Sequence, residues 1–154
     1  MATAKATWIG PGYRFVGEAN DGPAIIMDGV TPPSGTHSGP SPMELVLMGV
    51  AGCSGMDVVS ILAKKRQPFT GLQIHVTAER ADEHPMIYTH IHLEYVLYGT
   101  GLSEEALARA IALSEEKYCS VMAMLRPTVK ITHSYRIVEE QPLPAMPGDK
   151  AGES

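Results

Sequence analysis

The chain has 154 residues, of which 44% are hydrophobic and 19% charged, and its formal net charge is −5. A chain of this length and composition suits one domain whose core is large enough to fold without disulfide bonds. No basic stripe runs along the sequence, whereas proteins that bind nucleic acid cluster lysine and arginine against the phosphates. The composition therefore argues against nucleic acid as a partner.

The N-terminal third is rich in strand and turn signals. Residues 13–18 and 24–28 have the composition of short strands, and Asn20-Asp21-Gly22 between them is typical of a hairpin turn. Residues 29–40 are rich in proline, glycine, serine and threonine, which predicts a loop. We therefore expect a hairpin and a loop before the next element begins.

A long apolar helix is predicted from Ser41 to about Lys65. Ser41 and Pro42 suit the N-cap and the first turn, and Glu44 completes a capping box. The segment is apolar on all sides of its axis, and a helix of that kind must be buried on all sides. Such a helix extends over roughly 37 Å at about 1.5 Å per residue. One small domain can hardly cover it, so we expect a second subunit to help.

The same apolar run has the length of a membrane span. It carries Asp57 together with serines and glycines, so we expect no membrane segment. Residues 1–10 contain no apolar core of the length that a secretory signal needs. Two cysteines without such a signal suit a reducing compartment, and the predicted location is the cytoplasm.

The second half of the chain alternates between strand and helix periods. Two half-buried strands joined by a hairpin, a helix with one apolar face, a short helix and a last strand are predicted, over residues 72–79, 87–97, 104–117, 120–126 and 128–138. The helix face consists of Leu107, Ala110, Ile111 and Ser114. Residues 140–154 lack periodicity and are expected to be a disordered tail, which leaves residues 1–139 as one domain. This order predicts an α+β fold with a mainly antiparallel sheet packed around a long buried central helix.

Cys53 and Cys119 are the only thiols in the chain. Cys53 lies in the apolar helix, where a thiol is most often inert packing, whereas Cys119 follows a charged helix at a helix boundary, a position that predicts a lowered pKa. Asp57 lies four residues after Cys53 on the same helical face. It either orients a water, a thiol proton or a cationic partner, or makes a polar contact at a subunit seam with Lys64, Lys65 or an arginine.

Histidines and glycines give no sign of a metal or cofactor. His90 and His92 share a strand face, but no Cys-x-x-Cys or His-Glu-x-x-His spacing accompanies them, so a solvated face is favoured over zinc. His133 falls among apolar residues of the last strand and is expected to be a hydrogen-bonded core histidine. The glycines spaced by three along the long helix suit close helix contact at a dimer interface better than a phosphate loop; they are Gly49, Gly52 and Gly55.

Two segments of the chain resemble the cysteine motifs of the OsmC/Ohr superfamily. The first is Ser41-Pro-Met-Glu-Leu-Val-Leu-Met-Gly-Val-Ala-Gly-Cys-Ser-Gly-Met-Asp-Val-Val59, and the second is Glu115-Glu-Lys-Tyr-Cys-Ser-Val121. The phrases Met-Glu-Leu, Gly-Cys-Ser and Asp-Val-Val look most similar to the YhfA-like branch. The resemblance covers roughly residues 10–138. It implies an intertwined homodimer of α+β subunits with buried central helices.

The resemblance also implies a function. Characterised members of the superfamily reduce organic hydroperoxides and hydrogen peroxide with a pair of cysteines, which would make Cys53 the peroxidatic and Cys119 the resolving thiol. The disulfide that forms is then reduced by an external dithiol, so the implied partners are a dithiol reductant and a small peroxide, with no cofactor and no metal.

The groups that activate the first cysteine in those peroxidases do not match residue for residue. In those peroxidases they are an arginine from the N-terminal region and a glutamate ten residues before the cysteine. In this chain the position ten residues before Cys53 is Met43, and Glu44 comes one residue later. Arg14 lies within a predicted strand, and His37 is the basic side chain of the 29–40 loop. Arg14, His37, Glu44 and Asp57 are therefore candidate supporting groups. The alternative function is that of a non-catalytic relative that binds a small apolar ligand.

Overall fold

The computed structural model describes residues 1–20 and 22–139. Its residue contacts form two compact units, one from Met1 to Gly49 and one from Val50 onward. The expected disordered tail over residues 140–154 lies outside the described residues. The expectation of one domain over residues 1–139 stays a prediction.

The first unit contains an antiparallel sheet of three strands in the order β1-β2-β3. The strands are β1 (Ala4–Trp8), β2 (Phe15–Ala19) and β3 (Ala24–Met27). Strands β2 and β3 lie within two residues of the predicted positions. Strand β1 was not predicted, because every one of its residues is exposed and its place is set by pairing with β2. Arg14 precedes β2 and is not within a strand, contrary to expectation.

Helix α1 spans Pro42–Lys64, within one residue of its predicted bounds. Its capping box forms as expected: the Glu44 amide donates to Ser41 Oγ at 3.2 Å, and the Ser41 amide donates to Glu44 Oε2 at 2.7 Å. At the other end Arg66 adopts a left-handed φ of 55°, and the Gln67 amide donates to the Leu62 carbonyl at 3.0 Å. Such a left-handed residue ends the helix by redirecting the chain.

Helix α1 is buried along one face. The buried residues follow a spacing of four, and they are Val50, Ser54, Val58 and Leu62. Met56 is 76% exposed and Val59 is 40% exposed in the single chain, so the burial on every side that was expected with a second subunit stays a prediction. By length and composition alone α1 would also suffice to cross a membrane, with a mean hydropathy of 1.9.

The second unit contains a mixed sheet in the order β4-β5-β6. Strands β4 (Phe69–Arg80) and β5 (Tyr88–Gly99) form the predicted antiparallel hairpin. Strand β6 (Lys130–Val138) pairs with β5 in parallel. The parallel pairing follows from the long crossover between the two strands, which contains the remaining helices. The chain therefore has the predicted α+β class, with antiparallel pairing everywhere except between β5 and β6.

The crossover contains α2 (Glu104–Leu113), a π-helical turn (Ser114–Tyr118) and α3 (Ser120–Leu125). The predicted face of α2 is confirmed, because Leu107, Ala110, Ile111 and Ser114 are all fully buried. The prediction of a single helix to residue 117 is wrong in its last turn, where the backbone widens to π geometry. This wider turn leads directly to Cys119.

Candidate functional site

The two cysteines lie side by side within the second unit. Cys53 is half-buried on α1, whereas Cys119 is 3% exposed between the π-helical turn and α3. Both thiols are free, and Cys53 lies close enough to Cys119 to be one of the causes that raise the Cys119 pKa. Two thiols in this arrangement can exchange a proton and can approach each other for disulfide chemistry.

The backbone on both sides of Cys119 fixes its thiol. The Cys119 amide donates to the Ser114 carbonyl at 2.8 Å, which closes the π-helical turn. Its Sγ accepts a hydrogen bond from the Met122 amide at 3.4 Å, so the thiol caps the first turn of α3. Cys119 thus ends one element and begins the next, and its side chain has little freedom to turn away from Cys53.

Burial raises the pKa of Cys119 to about 11. The hydrogen bond from the Met122 amide lowers that pKa and the Cys53 thiol raises it, but loss of water around the thiolate is the largest cause. The expectation of a lowered pKa is therefore wrong. The amides of Val121 and Met122, at the start of a six-residue helix, do not compensate for desolvation of the charged form.

A chain of buried hydroxyl groups lies beside the thiols. Ser54, the residue after Cys53, lies 2.6 Å from Tyr95 Oη and 2.9 Å from Ser114 Oγ, measured from its own Oγ. Ser114 Oγ in turn donates to Asp57 Oδ2 at 2.9 Å. Tyr95, Ser54 and Ser114 are fully buried. We refer to Tyr95, Ser54, Ser114 and Asp57 together as the hydroxyl chain.

The hydroxyl chain has one direction. Each hydroxyl group carries a single hydrogen, and an ionised carboxylate only accepts. Because Ser114 gives its hydrogen to Asp57, Ser54 must donate to Ser114, and Tyr95 must donate to Ser54. Donation therefore runs from Tyr95 on the sheet to Asp57 on α1, and every buried hydroxyl in it is satisfied.

Tyr95 couples the hydroxyl chain to the thiols electrostatically. Burial raises the pKa of Tyr95 to about 12, the hydrogen bond with Ser54 lowers it, and the charges of Glu115, Cys119 and Asp57 raise it further. Tyr95 therefore stays protonated at neutral pH and remains a donor. A negative charge on Cys119 is one of the causes that raise the pKa of Tyr95, so the phenol lies near the candidate resolving thiol.

Asp57 accepts its hydrogen bond from Ser114 and forms no described ion pair with Lys64, Lys65 or an arginine. Asp57 also lines a cavity of about 320 Å³, together with both lysines and the apolar wall residues Ile61, Leu113 and Tyr118. The observed contact matches neither expected role as stated, and a contact at a subunit seam is not tested in the single chain. The polar partner is a serine hydroxyl, not a water, a thiol or a cation.

His133 and Glu115 anchor the outer side of the π-helical turn. His133 Nδ1 lies 2.7 Å from Glu115 Oε1, and its ring stands edge-on to Tyr95 at 6.4 Å between centroids. The Glu115 carbonyl accepts a hydrogen bond from the Arg126 guanidinium. His133 is hydrogen-bonded as expected, but it is too exposed to be a core residue.

His90 and His92 bond across the parallel pairing of β5 and β6. His90 Nε2 lies 2.7 Å and His92 Nδ1 lies 2.8 Å from Thr132 Oγ1, and His92 Nε2 lies 2.9 Å from Ser134 Oγ. Both histidines are half-buried, so the expected solvated face is in fact a hydrogen-bonded one. Over residues 1–20 and 22–139, no group of three or more His, Cys, Asp or Glu could hold a metal ion.

Arg14 binds the loop that follows β3. Its guanidinium donates to Ser38 Oγ and Thr36 Oγ1, both at 3.0 Å, and lies 3.8 Å from Asp28 Oδ2. Asp28 is buried and accepts hydrogen bonds from Gly29, Thr36 and Ser38, and the bonds from the two hydroxyl groups are the main reason that its pKa is strongly lowered. Sequence reasoning missed Asp28, although a carboxylate before a loop rich in hydroxyl groups is the signal for such a network.

His37 and Glu44 meet at the start of α1. His37 Nε2 lies 3.5 Å from Glu44 Oε2, and the Ser41 amide is the main reason that the pKa of Glu44 is lowered. Arg14, His37 and Glu44 all belong to the first unit, whereas Cys53, Cys119 and Asp57 belong to the second. The candidate site residues thus form two groups, one at the helix N-terminus and one around the thiols.

Sequence reasoning also missed Ser54, Tyr95 and Ser114. Ser114 was placed on the apolar face of a predicted helix, and Tyr95 falls within the predicted strand 87–97, but no role was given to their hydroxyl groups. A hydroxyl on a face predicted to be buried requires a partner, and that requirement was the available signal.

The family to which the chain belongs follows from its sequence similarity. The family model described as OsmC-like protein matches residues 35–134. Protein YhfA of Escherichia coli strain K12 is 47% identical over 135 residues, which cover 88% of this chain and 97% of YhfA. The chain therefore belongs to the OsmC family. The expected resemblance, including that to the YhfA-like branch, is confirmed.

Solved structures share the fold. A hypothetical protein from Aquifex aeolicus VF5 is 34% identical, with a TM-score of 0.79, over 92% of this chain and 98% of its own. The organic hydroperoxide resistance protein OsmC from Legionella pneumophila is 17% identical, with a TM-score of 0.65, over 88% of this chain and 96% of its own. The second likeness shows the fold alone.

Proposed function

We propose that this protein is a cysteine-based peroxidase that reduces organic hydroperoxides, with Cys53 as the attacking thiol and Cys119 as the resolving thiol. The observation that carries the proposal is the proximity of the two cysteines in a chain of the OsmC family. Ser54, next to Cys53, is hydrogen-bonded at 2.9 Å to Ser114, whose carbonyl accepts the Cys119 amide. A relative with the same fold is described as an organic hydroperoxide resistance protein.

The reaction has two steps. The Cys53 thiolate attacks one peroxide oxygen, the O–O bond breaks, and the alkoxide takes up a proton to leave as an alcohol while Cys53 becomes a sulfenic acid. The Cys119 sulfur then attacks the Cys53 sulfur, and the hydroxyl leaves as water with the thiol proton of Cys119. The two thiols have then given two electrons to the peroxide. An external dithiol reduces the disulfide by exchange and restores both thiols.

The environment of Cys119 supports this division of roles. Because its pKa is raised to about 11, Cys119 keeps its proton at neutral pH and can donate it in a hydrogen bond to a Cys53 thiolate. A thiolate is the nucleophile in attack on peroxide, so the buried, protonated thiol suits the second step better than the first. Cys53 is half-buried and is the more accessible of the two.

The remaining parts of the proposal concern partners and location. We propose a homodimer that works in the cytoplasm with a dithiol reductant and without a metal or cofactor. The exposed apolar face of α1 supports the dimer, and two free thiols support a reducing compartment. Arg14, His37 and Glu44 remain candidate supporting groups, with Arg14 and Glu44 already engaged by Asp28 and Ser41.

A second candidate function is binding of a small apolar ligand without catalysis. The first unit contains a cavity of about 430 Å³ whose lining is almost entirely apolar. Its lining residues are Ala6, Tyr13, Phe15, Met27, Asp28, Gly29 and Pro42. An apolar cavity of this kind suits a hydrocarbon chain, whether of a ligand or of an alkyl hydroperoxide.

The peroxidase proposal is tested with purified protein, cumene hydroperoxide and a dithiol. We expect turnover by the wild type and a fall to the background rate of the dithiol in Cys53→Ser. Without the dithiol, Cys119→Ser should consume about one equivalent of peroxide and then stop, with Cys53 left as a sulfenic acid and no intramolecular disulfide. Ser60→Ala, an exposed change on the same helix, is the control and should match the wild type. Equal turnover by Cys53→Ser would refute the proposal, and a wild type that gives only the background rate would favour the ligand-binding alternative.

A further inference from the structure

We propose that Ser54, Ser114 and Arg126 are positioning residues for the Cys53–Cys119 pair. The hydroxyl chain and the Arg126 side chain together hold the π-helical turn in the shape that keeps the two thiols close to each other. The inference rests on the proposed redox role of the two cysteines, and it assigns a function to buried polar groups that the chemistry itself does not use.

Each cysteine-bearing segment contributes one serine to the hydroxyl chain. Ser54 follows Cys53 directly, and the Ser114 carbonyl is the acceptor for the Cys119 amide. The 2.9 Å bond between the two hydroxyl groups therefore joins α1 to the π-helical turn. On α1 it lies one residue from Cys53, and on the turn it lies at the residue whose carbonyl accepts the Cys119 amide. Tyr95, on β5, is hydrogen-bonded to Ser54 and so connects this part of α1 to the sheet.

The buried hydroxyl groups allow a single register. Apolar side chains tolerate sliding of one helix along another, whereas a buried hydroxyl that loses its partner is left unsatisfied. In the hydroxyl chain each hydrogen is already assigned, from Tyr95 to Asp57. A shift of the π-helical turn along α1 would break the bonds of Ser114 to Ser54 and Asp57 together.

Arg126 favours the π geometry directly. In an α-helix the Cys119 amide would bond to the carbonyl four residues earlier, which is that of Glu115. That carbonyl instead accepts a hydrogen bond from the Arg126 guanidinium, and the Cys119 amide reaches one residue further back, to Ser114. An α-helical turn at this place would rotate Cys119 by about 100° around the helix axis. Such single π turns often occur at functional sites.

The test is the equilibrium between the Cys53–Cys119 disulfide and glutathione. Two protein thiols and glutathione disulfide exchange to one protein disulfide and two glutathione thiols, so the equilibrium constant measures how well the protein holds its thiols together. We expect Ser114→Ala to lower that constant about tenfold, which raises the reduction potential by about 30 mV. Arg126→Ala, an exposed change that leaves the core intact, should shift the potential in the same direction.

Ser60→Ala is the matched control and should keep the wild-type potential. Wild-type potentials in both Ser114→Ala and Arg126→Ala, even with a lower free energy of unfolding, would overturn the inference, because the residues would then be merely structural. Failure of the wild type to form the disulfide would overturn it as well. Since no peroxide is present, a shifted potential in a protein that does not turn over peroxide would support the inference and refute only the peroxidase proposal.

Discussion

At the scale of single residues, the Cys119 thiol is governed by its burial. It is 3% exposed, its Sγ accepts a hydrogen bond from the Met122 amide, and the Cys53 thiol is among the causes that raise its pKa. A thiolate there would lose most of its hydration, and one amide hydrogen bond restores only part of that loss. A protonated thiol at this position can donate to a neighbouring sulfur and accept from the amide at the same time. The Cys53 thiol favours the neutral form and the amide hydrogen bond favours the thiolate, so burial, the largest cause, decides for the neutral form.

We predict that Cys119 ionises only as the pH approaches its raised pKa of about 11. In Cys53→Ser, Cys119 is the sole thiol, and burial remains the largest cause of the shift. Ultraviolet absorbance of the thiolate should stay low through the neutral range and rise only in strong alkali. The double variant Cys53→Ser, Cys119→Ser provides the tyrosine background. A midpoint near about 8.5, the ordinary value for cysteine, would show that water reaches the thiol.

The cysteines themselves were identifiable from the sequence because each lies in a short motif of local residues. Their proximity in space was not identifiable from the sequence. It depends on a π-helical turn whose shape is set by Arg126 and Ser54, and neither is next to Ser114 in the sequence. The prediction of a lowered pKa for Cys119 was wrong for the same reason. Helix position is readable from sequence, whereas the amount of water around a side chain depends on the complete packing.

At the scale of elements, the start of α1 is set by the Ser41–Glu44 capping box. We predict that Ser41→Ala lowers the free energy of unfolding by about 1 kcal/mol, because the Glu44 amide loses its acceptor. Urea denaturation at one protein concentration measures the effect. Ser41→Thr keeps a hydroxyl and should recover most of the loss. An unchanged stability in Ser41→Ala would mean that tertiary contacts alone determine where the helix begins.

Elements with a strong local signal were predictable. The bounds of α1 follow from its caps, and the buried face of α2 follows from its period. Strand β1 was missed because it is exposed throughout and is defined by its partner strand. The parallel pairing of β6 depends on the path of the crossover, which no local pattern records. The sequence therefore predicted elements stabilised by their own residues better than elements stabilised by distant ones.

At the scale of the whole molecule, the apolar face of α1 is exposed among residues 1–20 and 22–139, the part of the chain that the structure describes. A groove of about 460 Å³ runs along this face within the second unit, between α1 and β4. It is lined by Ala51, Gly52, Gly55, Met56, Val59, Leu72 and Ile74. A side chain at Gly52 would meet open space, so the backbone there is free for close approach by another helix. A second copy of α1 would bury this face on both subunits at once.

We predict that Met56→Asp abolishes the dimer at micromolar concentration. Met56 is 76% exposed in the single chain, and a carboxylate buried against a second copy of α1 would have no partner. Light scattering or analytical ultracentrifugation gives the mass directly. Met124→Asp is the control, because Met124 is 80% exposed but lies on α3, away from the groove, and this variant should remain dimeric. A monomeric wild-type protein would contradict the prediction of a dimer. Loss of the dimer in Met124→Asp but not in Met56→Asp would place the interface on α3 instead of α1.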